Sequence, residues 1–189
     1  MPGIKLKNVI QILKRFSRNN PLEIILIGGL SLEYYGLRER ATLDIDAEVK
    51  GDVDKLSDFL KRNKIPCDIG EDISRWSLIS LPPGYKKRAE TLYSDDRLKV
   101  KVLNPLDFII AKLRRGTEED LNDALFIAGK FSLKAENIIK SANQAVRNSP
   151  RDTALFIFNK NIEIFTNKLR VLQNPRLSLR GATATKQSP

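Results

Sequence analysis

The first half of the chain alternates short apolar runs with amphipathic segments. Apolar residues at helical spacing over residues 4–18 predict an amphipathic helix. The continuous apolar run at 24–27 is typical of a strand that is buried on both faces. A short helix is expected over residues 30–36, and a second strand over residues 43–49, where apolar and acidic residues alternate. The predicted order is therefore helix, strand, helix, strand.

The stretch that follows mixes clear and weak signals. Residues 53–63 carry one apolar face and predict a helix. Weak strand candidates follow at 66–70 and 76–81, and Pro82-Pro83-Gly84 marks a loop. A clearer strand is expected at residues 98–103, where apolar residues alternate with lysines. These strands and helices together predict a mixed sheet.

The second half of the chain is helical in pattern. Asn104-Pro105 supplies an N-cap and a first-turn proline for one helix. Thr117-x-x-Asp120 is typical of the capping box that begins a second. Further helices are expected from Ser132 to about residue 146, and from Ser149-Pro150-x-Asp152 to about residue 172. The sequence thus predicts an α+β protein, a mixed sheet flanked by helices with a C-terminal helical bundle.

The last predicted helix, 150–172, carries a row of apolar residues that step by three and four, as in a coiled coil. The row consists of Leu155, Phe158, Ile162, Phe165, Leu169 and Leu172. It would pack into the core of the chain or, alternatively, bind a protein partner or a second copy. The predicted parts are an α/β core at 1–103, a helical region at 104–173 and a flexible basic tail at 174–189.

Composition narrows the chemistry. The 189 residues include one cysteine, Cys67, and no histidine, which excludes an intramolecular disulfide, Cys/His zinc sites and Ser-His-Asp triads. The net charge of +10 attracts polyanions such as nucleic acid or nucleotides. No apolar run is long enough to span a membrane, and the N-terminus lacks the apolar core of a signal peptide, so we expect a cytoplasmic protein without membrane contact.

Two acidic residues are the strongest candidates for chemistry. Asp44 and Asp46 lie two apart on a predicted strand, so alternation puts both on one face, with Cα atoms roughly 6–7 Å apart. Carboxylates so placed can share Mg²⁺ (or Mn²⁺), because hard cations prefer oxygen ligands. Two aspartates facing solvent on an edge strand would give the same pattern, so the spacing alone does not decide.

The upstream context favours the metal site. Gly28-Gly29 ends the buried strand and enters the short helix, with Ser31 in its first turn. Glycines let a phosphate approach the backbone closely, and N–H groups at the start of a helix attract anions. The alternative is an ordinary strand-to-helix turn. The succession of strand, Gly-Gly, helix and Asp-x-Asp strand is more specific than any one part of it.

These residues resemble the minimal nucleotidyltransferase superfamily. The matching stretches run from Ile27-Gly28-Gly29-Leu30-Ser31 through Arg38-x-Arg40-x-Thr42-x-Asp44-Ile45-Asp46 and from Pro105 to Leu113, followed by Asp120-Leu121-Asn122-Asp123. Pro83-Gly84-Tyr85-x-x-Arg88 resembles a stretch between the two. The likeness is greatest to small prokaryotic members related to abortive-infection toxins of toxin–antitoxin systems. It covers about residues 24–128 and departs from the superfamily pattern at the turn, where Gly-Gly replaces Gly-Ser.

The resemblance implies a function and a role for each matching residue. Asp44 and Asp46 would hold Mg²⁺, and a third catalytic carboxylate would be Asp68, with Glu71 and Asp72 as alternatives. The nucleoside triphosphate would be bound by residues of the turn, the loop and the later helices: Gly28, Gly29, Ser31, Arg38, Arg40, Thr42, Lys112, Asp120 and Asp123. The expected reaction is transfer of a nucleoside monophosphate to a hydroxyl of RNA, for example tRNA, or of a protein.

Several of these residues also have simpler interpretations. Asp120 would serve equally well as a helix cap, and Lys112 as a solvated helix residue. Aromatic residues that would stack on a base would otherwise belong to the core: Tyr34, Tyr35 and Trp76. Residues 84–115 hold nine Lys/Arg against four Asp/Glu, a basic stretch that would track an RNA backbone or simply face solvent. A nucleotidyltransferase-like fold that binds nucleic acid without catalysis therefore remains the alternative function.

Overall fold

The computed structural model describes residues 3–37 and 42–174. Arg38, Arg40 and residues 175–189 of the predicted tail lie outside the described residues. Five strands are present in the described part: β1 (Leu22–Leu26), β2 (Ile45–Lys50), β3 (Cys67–Gly70), β4 (Glu90–Ser94) and β5 (Leu98–Val102). The helices there are α1 (Leu6–Ser17), α2 (Gly29–Tyr34), α3 (Val53–Arg62), α4 (Tyr85–Arg88), α5 (Pro105–Arg115), α6 (Glu118–Lys130), α7 (Ala135–Arg147) and α8 (Ala154–Gln173), with a 3-10 turn at Ile73–Trp76.

The strands form one mixed sheet in the order β3-β2-β1-β5-β4. The central strand β1 is antiparallel to β2 and parallel to β5, while β2 and β3 are parallel to each other. Side chains alternate between the two faces. One face is apolar and fully buried, as at Ile24, Ala47 and Val100. The opposite face carries charged residues on the same three strands.

The C-terminal helices pack on one another and share the core of the sheet. Helix α5 contacts α6, α7 and α8, and one buried hydrophobic cluster extends from α1 to α8. The caps of α5 and α6 are those the sequence predicts, since Asn104 accepts a hydrogen bond from the Asp107 amide and Thr117 from the Asp120 amide. Helices α7 and α8 begin later than predicted, with Lys134 and Thr153 as their N-caps. The predicted α+β fold, with its mixed sheet flanked by helices, is confirmed.

The apolar row of α8 serves mainly the core of this chain. Phe158, Ile162, Phe165 and Leu169 are buried, whereas Leu172 is 64% exposed. Within the described ranges, no helix combines the length and the apolar character that crossing a membrane requires.

One strand prediction is wrong, and one strand was not predicted. Residues 76–81 do not form a strand, because hydrogen bonds from elsewhere hold the segment in an irregular course. Arg114 donates to the Ile73 and Ser77 carbonyls, and the Ser80 amide donates to Ser149 Oγ. The sequence does not predict strand β4, because a partly exposed edge strand with a bulge between Thr91 and Tyr93 lacks a regular alternation of apolar and polar residues.

The second strand begins later than predicted. It starts at Ile45 rather than at residue 43, and Leu43 is 61% exposed. Asp44 therefore lies in the loop just before β2, while Asp46 lies within the strand.

Candidate active site

A cleft of about 750 Å³ opens beside the ends of β1, β2 and β3. Its other side is formed by the end of α5 and the start of α6, residues 111–120, which we call the α5–α6 corner. Many of the predicted site residues line it: Gly28, Gly29, Thr42, Asp44, Asp46, Asp68, Lys112 and Asp120. Residues from four separate stretches of sequence thus reach one cavity. Of the alternatives to Asp68, Glu71 lines a different cleft.

The acidic group of the cleft is organised by strand pairing. Asp46 of β2 and Asp68 of β3 are direct partners in the parallel register, so their side chains lie on the same face. Burial raises the pKa of Asp46 to about 6, and the nearby negative charges of Asp44 and Asp68 act in the same direction. Burial and the neighbouring carboxylates thus both oppose ionisation of Asp46, and a bound cation would favour the ionised form.

The carboxylates of the cleft suit a hard divalent cation, but they would supply only some of its ligands. Within residues 3–37 and 42–174, no three acidic, cysteine or histidine side chains already have the geometry of a metal site. The carboxylates of Asp44 and Asp46 are the oxygen ligands that Mg²⁺ prefers, and Mg²⁺ commonly keeps water and substrate phosphate oxygens as its other ligands. The chain would supply two carboxylates and leave the rest to solvent and substrate.

The glycine turn is packed directly against these carboxylates. A Cβ atom on Gly28 would lie 2.8 Å from Asp46 Cγ and 2.9 Å from Asp46 Cβ, so no side chain fits there. The Ile27 amide also donates to the Asp46 carbonyl at 3.0 Å. Glycine at position 28 therefore allows the turn to sit beside the Asp46 side chain.

The second glycine makes room for Thr42. A Cβ atom on Gly29 would overlap Thr42 Oγ1 and lie 3.2 Å from Thr42 Cβ. The Thr42 side chain thus occupies the space that a serine at position 29 would need. Ser31 has another role, because it is fully buried and its hydroxyl donates to the Leu26 carbonyl at 3.0 Å, away from the cleft lining.

The α5–α6 corner forms a wall of paired charges. Lys112 Nζ lies 2.8 Å from Asp123 Oδ2 and 3.2 Å from Asp120 Oδ1, and all three side chains are buried. Arg115 binds Asp120 through two hydrogen bonds of 2.6 and 2.7 Å. Asp120 and Asp123 thus fix the side chains of Lys112 and Arg115 in place, although Asp123 itself does not line the cleft.

Asp120 also keeps its capping role, so both sequence interpretations of this residue apply. Its carboxylate accepts from the Thr117 hydroxyl at 2.8 Å while Thr117 accepts from the Asp120 amide. Burial acts to raise the pKa of Asp120, but the hydrogen bonds from Arg115 and Thr117 and the charge of Lys112 outweigh it and hold the pKa at about 2. Asp120 is therefore a fixed anion at neutral pH.

Arg114 was not predicted as a site residue, yet it lines the cleft. Burial lowers the pKa of its guanidinium to about 10, so it stays protonated at neutral pH. Within the described residues it has no ion-pair partner, and its buried Nε has no hydrogen-bond partner. The only sequence signal was its position in the basic stretch 84–115, two residues after Lys112.

Trp76 connects this wall to the carboxylates. Its indole Nε1 donates to Asp68 Oδ2 at 2.5 Å, and its ring lines the cleft. The backbone of the turn that carries Trp76 is held by Arg114. Tyr34 and Tyr35 do not line the cleft; Tyr35 is buried and donates to the Leu103 carbonyl. Of the three aromatic candidates, Trp76 is the one placed to contact a ligand.

The stretch from Pro83 to Arg88 has a structural role. Arg88 forms two hydrogen bonds with the buried Asp107, of 3.0 and 2.8 Å, and one with the Pro83 carbonyl. Tyr85 donates to Glu48 at 2.5 Å. These contacts tie helix α4 to α5 and to the middle of β2.

A mixed sheet that presents acidic residues beside a glycine turn, with a helical corner closing the cleft, is the arrangement of a nucleotidyltransferase-like protein. The chain belongs to the family described as nucleotidyltransferase of unknown function (DUF6036), whose profile matches residues 4–145. The crystal structure of an antigenic nucleotidyltransferase-like protein from Paracoccidioides brasiliensis is similar over 92% of this chain and 90% of that chain, with 17% identity and a TM-score of 0.45. No curated protein matches the sequence.

Proposed function

We propose that this protein is a Mg²⁺-dependent (or Mn²⁺-dependent) nucleotidyltransferase that moves a nucleoside monophosphate from a nucleoside triphosphate to an acceptor hydroxyl. The observation that carries the proposal is the meeting of Asp44, Asp46 and Asp68 with the Gly28-Gly29 turn in one cleft large enough for a nucleotide. A divalent cation held by Asp44 and Asp46 would stabilise the negative charge of the triphosphate and of the leaving pyrophosphate.

The positions of the remaining residues support a proposed role for each. In the reaction, the acceptor oxygen forms a bond to the α-phosphorus while the bond from the α-phosphorus to the bridging oxygen breaks and releases pyrophosphate. Asp68 would accept the proton of the acceptor hydroxyl, with Trp76 holding one of its oxygens in place. The pyrophosphate would lie toward Arg114 and the α5–α6 wall, where positive charge is already positioned.

The turn and Thr42 would contact the phosphates. Gly28 and Gly29 present backbone without side chains, which permits close approach of a phosphate. The Thr42 hydroxyl occupies the place of a side chain at position 29 and would donate to the nucleotide instead of the serine found in the superfamily pattern. Arg38 and Arg40 belong to the same proposed set through sequence alone.

The acceptor that fits the charge of the protein is RNA, for example tRNA. A surplus of ten positive charges favours a polyanionic acceptor over a protein hydroxyl. The test is to incubate the protein with each nucleoside triphosphate labelled at the α-phosphate, Mg²⁺, and RNA or protein fractions. Label should appear in RNA and should be lost with Asp44→Asn, which leaves the fold intact. Equal incorporation by Asp44→Asn would refute the enzymatic proposal.

A non-catalytic nucleic-acid-binding module is the second candidate. It is favoured by the absence of a serine at the turn and by the incomplete ligand set around Asp46. This alternative predicts salt-sensitive binding of RNA or DNA without affinity for Mg²⁺ and nucleotide. Calorimetric titration with Mg²⁺ and each nucleoside triphosphate separates the two, since only the enzyme would release or absorb heat on binding.

A toxin role and a protein partner would involve helix α8. Beside its buried row, α8 exposes a second apolar row at heptad spacing, consisting of Ile157, Ile164 and Val171. This row would dock an antitoxin or a second copy of the chain, and growth arrest on expression, relieved by a co-expressed neighbouring gene product, would support the toxin role. Normal growth during expression of active protein would count against it.

A further inference from the structure

A second cleft, of about 550 Å³, lies away from the candidate active site. Most of the residues that line it are charged, and the others are Ile25, Val49 and Gly51. The charged residues are four lysines and three glutamates: Lys50, Lys86, Lys87, Lys101, Glu23, Glu48 and Glu71. We call it the lysine cleft.

Strand register places the lysine cleft on the face of the sheet that carries Asp46. Asp46 and Lys50 are four residues apart in β2, so their side chains point to the same side. Across the sheet, Lys50 is aligned with Glu23 of β1, and Glu23 with Lys99 of β5. At a rise of about 3.3 Å per residue, Lys50 lies about 13 Å along the strand from Asp46.

Two of the three glutamates are already neutralised. Glu23 is bound by Lys101 at 2.6 Å, and this hydrogen bond holds the pKa of Glu23 below its usual value. Glu48 is buried and is bound by Lys86 at 2.5 Å and by the Tyr85 hydroxyl. On β2, Glu48 lies between Asp46 of the active-site cleft and Lys50 of the lysine cleft.

Cations remain after these pairs are formed. Lys50 and Lys87 line the cleft and form no ion pair within the part of the chain that the structure describes, and the same holds for Lys99 on the neighbouring strand β5. One exposed carboxylate, Glu71, also lines the cleft. Lysine is a flexible point charge that suits phosphate oxygens but does not read base edges. The surplus charge therefore fits the backbone of a nucleic acid bound without strong sequence preference.

We propose that the lysine cleft binds the phosphate backbone of the RNA acceptor and directs the acceptor hydroxyl toward Asp46. This inference rests on the proposed transferase function, for which it supplies the acceptor site. The cleft shares a sheet face with Asp46, and Lys50 lies about 13 Å from Asp46 along β2. An RNA strand anchored at Lys50 and Lys87 would therefore reach the α-phosphate by passing Glu48.

The test measures binding of a fluorescein-labelled single-stranded RNA of twelve nucleotides by fluorescence anisotropy across a series of salt concentrations. The variant is the double charge reversal Lys50→Glu with Lys87→Glu. The matched control reverses two exposed lysines on helices away from the cleft, Lys61→Glu with Lys140→Glu, and changes the net charge equally. Binding of Mg²⁺ and nucleotide to each protein is followed separately by the fluorescence of Trp76, the single tryptophan.

The proposal predicts that the cleft variant binds RNA at least tenfold more weakly, with a salt slope reduced by about two, whereas the control stays within twofold of the native protein. Nucleotide binding should be the same in all three. Equal weakening in both variants, or RNA binding that neither variant affects, would overturn the proposal. Binding of anionic lipid vesicles but not RNA through the same lysines would overturn it as well. If RNA binding is weakened only in the cleft variant but the native protein binds no nucleotide, the lysine cleft is an RNA-binding site and the transferase proposal fails.

Discussion

Asp46 and Asp68 are direct register partners on the parallel strands β2 and β3, on the face of the sheet that the glycine turn approaches. Parallel neighbours at one register position keep their side chains on the same side and close together. The pairing places a third carboxylate beside the Asp44–Asp46 pair. Burial raises the pKa of Asp46, and the charges of Asp44 and Asp68 add to the rise. The proposed chemistry depends on this crowding.

Replacement of the first glycine tests how tightly the turn is built against Asp46. Gly28→Ala would place a methyl group 2.9 Å from Asp46 Cβ, which side-chain rotation cannot relieve. We expect a loss of about 1–3 kcal/mol in the free energy of unfolding, together with loss of nucleotide transfer. Urea denaturation followed by circular dichroism measures the first effect.

The control is Gly129→Ala within helix α6, where nothing lies within 4 Å of the added methyl group. That change should stabilise the protein by about 0.5–1 kcal/mol, because alanine is the better helix former. If Gly28→Ala proved as harmless as the control, the close packing of the turn would be disproved.

The second glycine and Thr42 should be energetically coupled. Gly29→Ser alone forces its side chain into Thr42, while Gly29→Ser combined with Thr42→Ala restores the superfamily serine in the freed space. The double variant should be more stable than the sum of the single changes predicts, by about 0.5–3 kcal/mol. It should also regain transfer activity that Thr42→Ala alone lacks. Additive effects on both stability and activity would show that a side chain at position 29 and the Thr42 side chain do not compete for the same space.

Trp76 should position Asp68 during catalysis. Trp76→Phe keeps an aromatic ring in the cleft but removes the donor to Asp68 Oδ2, and we expect kcat to fall about tenfold, about 1.4 kcal/mol, with little change in KM. The matched control is Tyr93→Phe, which removes another aromatic donor to an aspartate on the exposed β4–β5 hairpin. A Trp76→Phe enzyme with native kcat would refute the positioning role.

Stability in acid should depend on Asp120. Its folded-state pKa of about 2 lies below the ordinary value of 3.8, so its ionised form contributes stability that is complete above about pH 4 and is lost as the pH falls toward 2. Between pH 5 and pH 2 the native protein should lose about 2 kcal/mol more unfolding free energy than Asp120→Asn does. Urea titrations at several pH values measure this difference. A gap between the two proteins that stayed constant with pH would contradict the assignment.

The local parts of the site were predictable from sequence, and the parts that depend on long-range pairing were less so. Gly28, Gly29, Asp44 and Asp46 belong to one short stretch, in which turn and strand signals are explicit. Asp68 remained one of three alternatives, because the choice depends on the parallel pairing of β2 with β3, which alternation patterns do not reveal.

The cationic side of the cleft was recognised only in part. Lys112 was predicted through resemblance, but Arg114 and Arg115 sit on the same helix without a distinguishing pattern. Their importance comes from tertiary contacts, with the Ile73–Trp76 turn in one case and with Asp120 in the other. The contacts of Arg114 with the Ile73 and Ser77 carbonyls also help to explain why residues 76–81, a weak strand candidate, do not form a strand.

The central claim is that the Asp44–Asp46 carboxylates bind a divalent cation together with a nucleoside triphosphate. Calorimetric titration of Mg²⁺ and nucleotide tests it on the native protein, on Asp46→Asn, and on the control Asp58→Asn, which changes an exposed aspartate of helix α3. The account predicts nucleotide binding that requires Mg²⁺, is lost in Asp46→Asn and is unchanged in the control. Binding of equal strength to Asp46→Asn, or nucleotide binding that is indifferent to Mg²⁺, would contradict it.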